Sequence, residues 1–163
     1  MRHVFFSFHF DNDFWRTQQV RNIGALEGQA LCTANRWEEV KRGGAPAIQR
    51  WVADNMNGKS CVVVLVGAQT ALRPWVKYEI QKGWSDRKGV VAIRVHRLLD
   101  VHSNPSMAGP NPLAEVPWTS GKTLAQIAQI KDPAGADSKA VYATIANNIE
   151  GWIEEAISIR QNA

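Results

Sequence analysis

Cysteine is nearly absent: Cys32 and Cys61 are the only two in 163 residues, and no CxxC or Cys/His cluster surrounds either. That excludes a disulfide framework and a structural zinc site, and a reducing cytoplasm is the expected compartment. No apolar run is long enough to span a bilayer, and the short run at the start, MRHVFFSFHF, has neither the length nor the small-residue cleavage site of a signal peptide. No dense Lys/Arg tract is interleaved with aromatics, so neither nucleic acid nor membrane is expected as a partner. Several site signatures are missing too. There is no GxGxxG and no GxSxG elbow, and VPWTSGKT fails as a phosphate loop because Val116 stands where the first glycine belongs. His3, His9, His96 and His102 share no metal-ligand spacing, so no metal site is expected.

What is present reads as one domain over residues 1–163, a length that buries roughly two thirds of the surface of the unfolded chain. Net charge is +4 and uneven: residues 1–99 carry 15 Lys/Arg against 8 Asp/Glu, and residues 100–163 carry 4 against 7. The asymmetry suits an anionic small ligand or a self-associating surface. Three near-continuous apolar runs, 3–10 (HVFFSFHF), 60–67 (SCVVVLVG) and 89–95 (GVVAIRV), predict strands covered on both faces, as in a parallel sheet. Helices are predicted over 45–58, over 73–87 with Pro74 in the first turn, and over 138–160. Two weaker segments, 27–37 and 124–131, are expected as strands because the alternation needs them, although the second repeats every three residues. The expected fold class is α/β, a flavodoxin-like doubly wound parallel five-stranded sheet with helices on both faces and ligands at the carboxyl ends of the strands. Residues 97–123 interrupt the pattern with four of the seven prolines, and a loop of that length points to function.

A phosphoacceptor receiver also has this fold class, and FDND after the first strand imitates its acidic pair. The third strand, however, ends in Gly67, Ala68, Gln69 and Thr70, with no carboxylate to accept phosphate. Asp11 and Asp13 are therefore read as helix caps. The sharpest signal is Glu79. On the helical stripe formed by Leu72, Trp75, Val76, Ile80 and Gly83, it places a carboxylate where desolvating its charge is costly. A pairing with Lys82 at i+3 is the alternative. If the first strand alternates, Ser7 and His9 share a face at its ligand-binding end, opposite Phe6, Phe8 and Phe10. Trp75, one turn before Glu79, is either an aromatic wall or a core residue.

HVFFSFHF, SCVVVLVG and WVKYEI, in this order and spacing, resemble a TIR domain. VFFSFHFDNDFWRTQQVRN with the later GPNPL is more closely similar to the TIR-like proteins of bacterial Thoeris antiphage defence, and the likeness runs from His3 to the last helix. The resemblance implies an enzyme that cleaves the nicotinamide–ribose bond of NAD and makes a cyclic ADP-ribose isomer as a signal. NAD would be the substrate, with no resident cofactor. Glu79 and Asn111 would be catalytic, and Ser7, Phe8, His9 and Trp75 would contact substrate. Arg36 or Trp37 would contribute from the second-strand loop, and the 97–123 loop would exclude water. Self-association through TIR-like surfaces, a separate effector reached through the small molecule and a phage-derived trigger are the partners implied. A TIR-like protein–protein interaction module without catalysis is the competing expectation.

Overall fold

The apolar runs become neighbouring strands. The computed structural model describes residues 1–31 and 33–163, so Cys32, and with it part of the expected 27–37 strand and of the two-cysteine reading, lies outside the described residues. Strands β1 (His3–Ser7), β2 (Glu27–Gly28), β3 (Cys61–Val66), β4 (Gly89–Arg94) and β5 (Gln129–Lys131) form one sheet in the order β2-β1-β3-β4-β5. Every pairing is parallel. This is the flavodoxin-like order expected of the α/β pattern. All six residues of β3 are completely buried, which is why its sequence is apolar without alternation.

Helices α1 (Phe10–Arg21), α2 (Ala34–Arg42), α3 (Gly44–Met56), α4 (Pro74–Ser85) and α5 (Ser138–Gln161) complete the fold. One face of the sheet packs Val4, Phe6, Val63 and Ile93 against α5 through Val141, Ile145, Ile149 and Ile153, with Val20 of α1 beside them. The other packs Phe5, Val62, Val64 and Ala92 against Ile48 and Val52 of α3 and Val76 and Ile80 of α4. Gly83 brings α4 unusually close to β3, for a Cβ there would lie 2.4 Å from Val62 Cγ2.

Four expectations need correction. The first strand stops at Ser7, and His9 is the residue before α1, so Asp11 and Asp13 sit inside the helix's first turn and do not cap it. The second strand shrinks to Glu27–Gly28. Beyond it, the Gln29 carboxamide takes the place of a strand backbone: its Oε1 accepts from Phe6 N and its Nε2 donates to Phe6 O, both at 2.9 Å. Thr33 then opens α2 by accepting the Arg36 N–H at 3.1 Å. The 124–131 segment is a 3₁₀ turn, Leu124–Gln126, followed by the short β5. Only Leu124–Gln126 of the three-residue repeat is helical; Ile130 lies in β5. Leu72 belongs to another 3₁₀ turn, Thr70–Leu72, and is 67% exposed, so it is not part of the α4 stripe.

Candidate functional site

Glu79 is buried, with 8% of its surface exposed, on the α4 face shared with Val76, Ile80 and Gly83. The close approach permitted by Gly83 carries Glu79, one turn earlier, to the carboxyl end of β1. There the hydroxyl of Ser7, itself fully buried, donates to Glu79 Oε1 at 2.7 Å. Lys82, the alternative partner, pairs instead with Asp86 at 2.9 Å. Burial pushes the Glu79 carboxyl up to about 8, and the Ser7 hydrogen bond opposes that rise only in part. Among the described residues, no basic side chain pairs with it to offset the rise. The carboxyl is thereby brought into the range of neutral pH.

Two cavities meet at Glu79. The inner one, ≈ 40 Å³, is lined by Phe6, Phe8, Phe10, Trp37, Trp51 and Gln29, among others. Its aromatic wall is continuous: Phe10 stacks on Trp37 at 6.1 Å between ring centres, and Trp37 meets Trp51 edge-on at 5.5 Å. The outer cleft, ≈ 120 Å³, opens between the start of α1, α2 and the start of α4. His9, Trp75, Lys41 and Arg73 line it, with Phe8 and Trp37 shared. Both volumes fall below the roughly 300–1,000 Å³ of pockets that enclose a whole cofactor-sized ligand.

Of the residues expected from sequence, Glu79, Phe8, His9 and Trp75 converge on this cleft. Ser7 sits beneath it and touches Glu79. Asn111 is placed elsewhere: its Oδ1 accepts from Leu113 N at 3.0 Å and caps the 3₁₀ turn Pro112–Glu115, and it lines neither cavity. Trp37 lines both cavities, whereas Arg36 pairs with Glu39 at 3.0 Å.

The 97–123 loop also departs from expectation, since none of its residues lines either cavity. Its first part is fastened to the opposite side, where Arg16 of α1 donates to the carbonyls of Leu98 and Asn104, each at 2.8 Å, while Leu113 and Val116 pack on the α4 face. Gly109 lies directly on the turn after β3, where an added Cβ would collide with the Gly67 and Ala68 carbonyls. Leu31 and Trp37 line the cavity at Glu79 in the loop's place. Sequence reading missed Gln29, Lys41 and Arg73 as lining residues, because each is ordinary within its own segment and gains meaning only from the turn that brings it there.

Among the described residues, no cluster of three or more His, Cys, Asp or Glu side chains could hold a metal, and no helix is long and apolar enough to cross a membrane. The family model for the Thoeris protein ThsB, TIR-like domain, matches residues 5–100. That segment contains Glu79 and every cavity-lining residue named above, and stops short of Asn111. A protein of Bacillus cereus (strain MSX-D12) named "Putative cyclic ADP-D-ribose synthase ThsB1" is 35% identical over 117 residues, covering 68% of this chain and 60% of that protein. The matched part thus spans about three fifths of the relative's length.

Proposed function

Since the chain belongs to the Thoeris ThsB TIR-like domain family, we propose that it cleaves the nicotinamide–ribose bond of NAD and closes the ADP-ribose remainder into a cyclic signal. The observation that carries this reading is a buried glutamate at an aromatic cleft on the carboxyl edge of the sheet, held by the serine that ends β1. Nicotinamide in NAD is already cationic and departs neutral with the bonding electron pair, so no general acid is required. What the reaction needs is negative charge beside the ribose carbon as it becomes an oxocarbenium ion. A preorganised carboxylate in a dry site supplies on the order of 3–4 kcal/mol of such stabilisation.

NAD is the substrate in this reading and no resident cofactor takes part. Trp75 and Phe8 form flat apolar walls for the departing ring, while Ser7 keeps the Glu79 carboxyl aimed into the cleft. Cyclisation follows when a hydroxyl of the bound ADP-ribose gives its oxygen lone pair to the cation in place of water. The hydroxyl proton is released in that step, and the Glu79 carboxylate is the base positioned to take it. Asn111 acts through the cap it makes, by fixing the turn packed beside α4. The signal leaves to a separate effector, and self-association or a phage-derived trigger would govern when the cleft opens. A cytoplasmic location gives the enzyme access to NAD.

The test is nicotinamide release from NAD by purified protein beside a Glu79→Gln variant. Loss of release by a factor of about 10²–10³ in the variant is expected. Equal release by the two proteins would remove Glu79 from the chemistry.

A further inference from the structure

Strand β1 has a full neighbour on one side only. Against β3 it pairs from Val4 to Ser7, but against β2 the ladder ends at the Val4–Gly28 pair. In a parallel ladder a residue turns its N–H and its C=O to the same side, so Phe6, two residues beyond Val4, presents both groups toward the missing part of β2. Phe6 is buried, and two unpaired backbone groups there would be costly. The Gln29 carboxamide, also buried, satisfies both with one planar group. Gly28 permits the approach, since an added Cβ would collide with the Phe6 ring. Gln29 is seated in turn by α1, where Arg21 Nε donates to its backbone carbonyl at 2.8 Å.

Putting a side chain where a strand would run has two consequences. A longer β2 would fill the space beside Phe6 and Phe8, whereas the carboxamide ends there and leaves the inner cavity, which it lines together with Glu79. The Phe6 carbonyl also belongs to the same rigid peptide plane as the Ser7 nitrogen. Holding that carbonyl fixes the plane from which Ser7 departs, and from there the Ser7 hydroxyl reaches Glu79 Oε1 at 2.7 Å. Ser7 is the last residue of β1, so its own ladder pair, with Val64, is the final one on the β3 side.

We propose that Gln29, seated by Arg21, is a positioning residue for the Ser7–Glu79 pair: its carboxamide sets the Phe6–Ser7 peptide and thereby the aim of the hydroxyl that holds Glu79 at the cleft. Its kinetic consequences rest on the NAD-cleaving reading, whereas its effect on the pair does not. A side chain that served the fold alone would lower the amount of folded protein without changing how the remainder titrates. Positioning leaves a different signature. When the hydroxyl loses its aim, the Glu79 anion loses the hydrogen bond that favours it, and its titration moves to higher pH. His9, Asp11, Lys41 and Arg73, the charged and titratable groups that share the outer cleft with Glu79, are untouched by substitutions at Gln29 and Arg21, and Arg21 lines neither cavity. Movement of the titration therefore reports the Ser7 bond.

The experiment compares Gln29→Met, Arg21→Gln, Ser7→Ala and the Gln29→Met, Ser7→Ala double variant with the unaltered full chain. Circular dichroism verifies folding, and Arg21→Gln, which keeps the carboxamide, decides the matter if Gln29→Met does not fold. The readouts are the Glu79 carboxyl-carbon NMR titration without NAD and the pH profile of kcat/KM in nicotinamide release. Gln29→Met is expected to move the titration upward by as much as about one unit and to lower kcat/KM near neutral pH by about three- to tenfold, with most of the loss recovered on the alkaline plateau. Arg21→Gln moves both in the same direction by less. In the Ser7→Ala background, where the hydroxyl is already gone, Gln29→Met adds no further shift. An unmoved titration in the folded variants, or a shift in the double variant that adds in full to that of Ser7→Ala, overturns the assignment. The two readings fail separately. A Glu79 titration that moves as expected, with no nicotinamide release by any of the proteins, would leave the positioning role standing and remove the cleavage reading, whereas Glu79-dependent release with titration and pH break fixed in Gln29→Met and Arg21→Gln would do the reverse.

Discussion

Proton occupancy of Glu79 should govern the pH dependence of NAD cleavage. With its carboxyl pushed up to about 8, only about one tenth of the empty protein carries the anion at pH 7. If the anion is the form that supports bond cleavage, log kcat/KM, which reports the free enzyme, rises with unit slope from about pH 6 and levels off above about pH 8. Across that span the anionic fraction grows from about 1% to about half, a gain of about 50-fold. The profile of kcat itself breaks lower. On the proposed reading the nicotinamide cation of the complex would lie against the carboxylate and favour its charged form.

Ser7 provides the internal control. Its hydroxyl donates to Glu79 Oε1 at 2.7 Å and lowers the carboxyl's pKa against the dominant effect of burial. Ser7→Ala deletes a hydrogen bond to a charged group, a loss of order 1.5 kcal/mol, so the break in kcat/KM moves upward by about one unit. Activity at neutral pH then falls about tenfold, and most of it returns on the alkaline plateau. The assay is initial-rate nicotinamide release in buffers of constant ionic strength. A flat profile between about pH 6 and pH 9 would refute the reasoning, as would a Ser7→Ala loss that is the same at every pH.

The same titration acts on stability with the opposite sign. Because the folded-state pKa of Glu79 lies above the ordinary glutamate value of 4.5, the folded protein holds the extra proton, so stability is greatest below 4.5 and is lost as pH rises through about 8. Glu79→Gln removes that loss and keeps an acceptor for the Ser7 hydroxyl; denaturant unfolding should show the variant gaining on the unaltered protein by on the order of 4 kcal/mol between acidic and alkaline pH. A constant difference at all pH values would mean that the carboxyl is not desolvated. Arg16→Ala tests the opposite side of the sheet, where Arg16 pairs with Asp13 at 2.7 Å, both all but fully buried, and also holds the Leu98 and Asn104 carbonyls. Stranding the Asp13 charge should cost about 3–5 kcal/mol in chemical denaturation, while any folded fraction keeps its KM for NAD because the loop it anchors does not line the cleft.

Which of these features could be read from sequence follows from where their causes lie. The central strands were legible because burial on both faces leaves no polar residue in Cys61–Val66. Glu79 was legible because a carboxylate on a helical apolar stripe contradicts its surroundings. Ser7 followed from alternation along β1, since it falls on the same side as Phe5, toward α4. The second strand was not legible. Its ladder continues through the Gln29 side chain, which no strand pattern encodes, and the backbone turns away to form α2. That unread turn is what carries Trp37 and Lys41 over the cleft.

The division has a physical reason. Residues that must be buried against their own chemistry, such as Glu79 and Ser7, violate a local rule and so announce themselves one segment at a time. Lys41 and Arg73 violate nothing: a lysine late in a helix and an arginine before a proline are unremarkable, and each is solvated in isolation. They come together only as lining residues of one cleft, contributed by α2 and by the residue before α4. A cleft assembled in this way separates two kinds of residue. On the proposed reading the buried pair acts at the ribose and the exposed residues lie outside the chemistry, so Lys41→Gln and Arg73→Gln should leave in place the alkaline break that Glu79 imposes on kcat/KM.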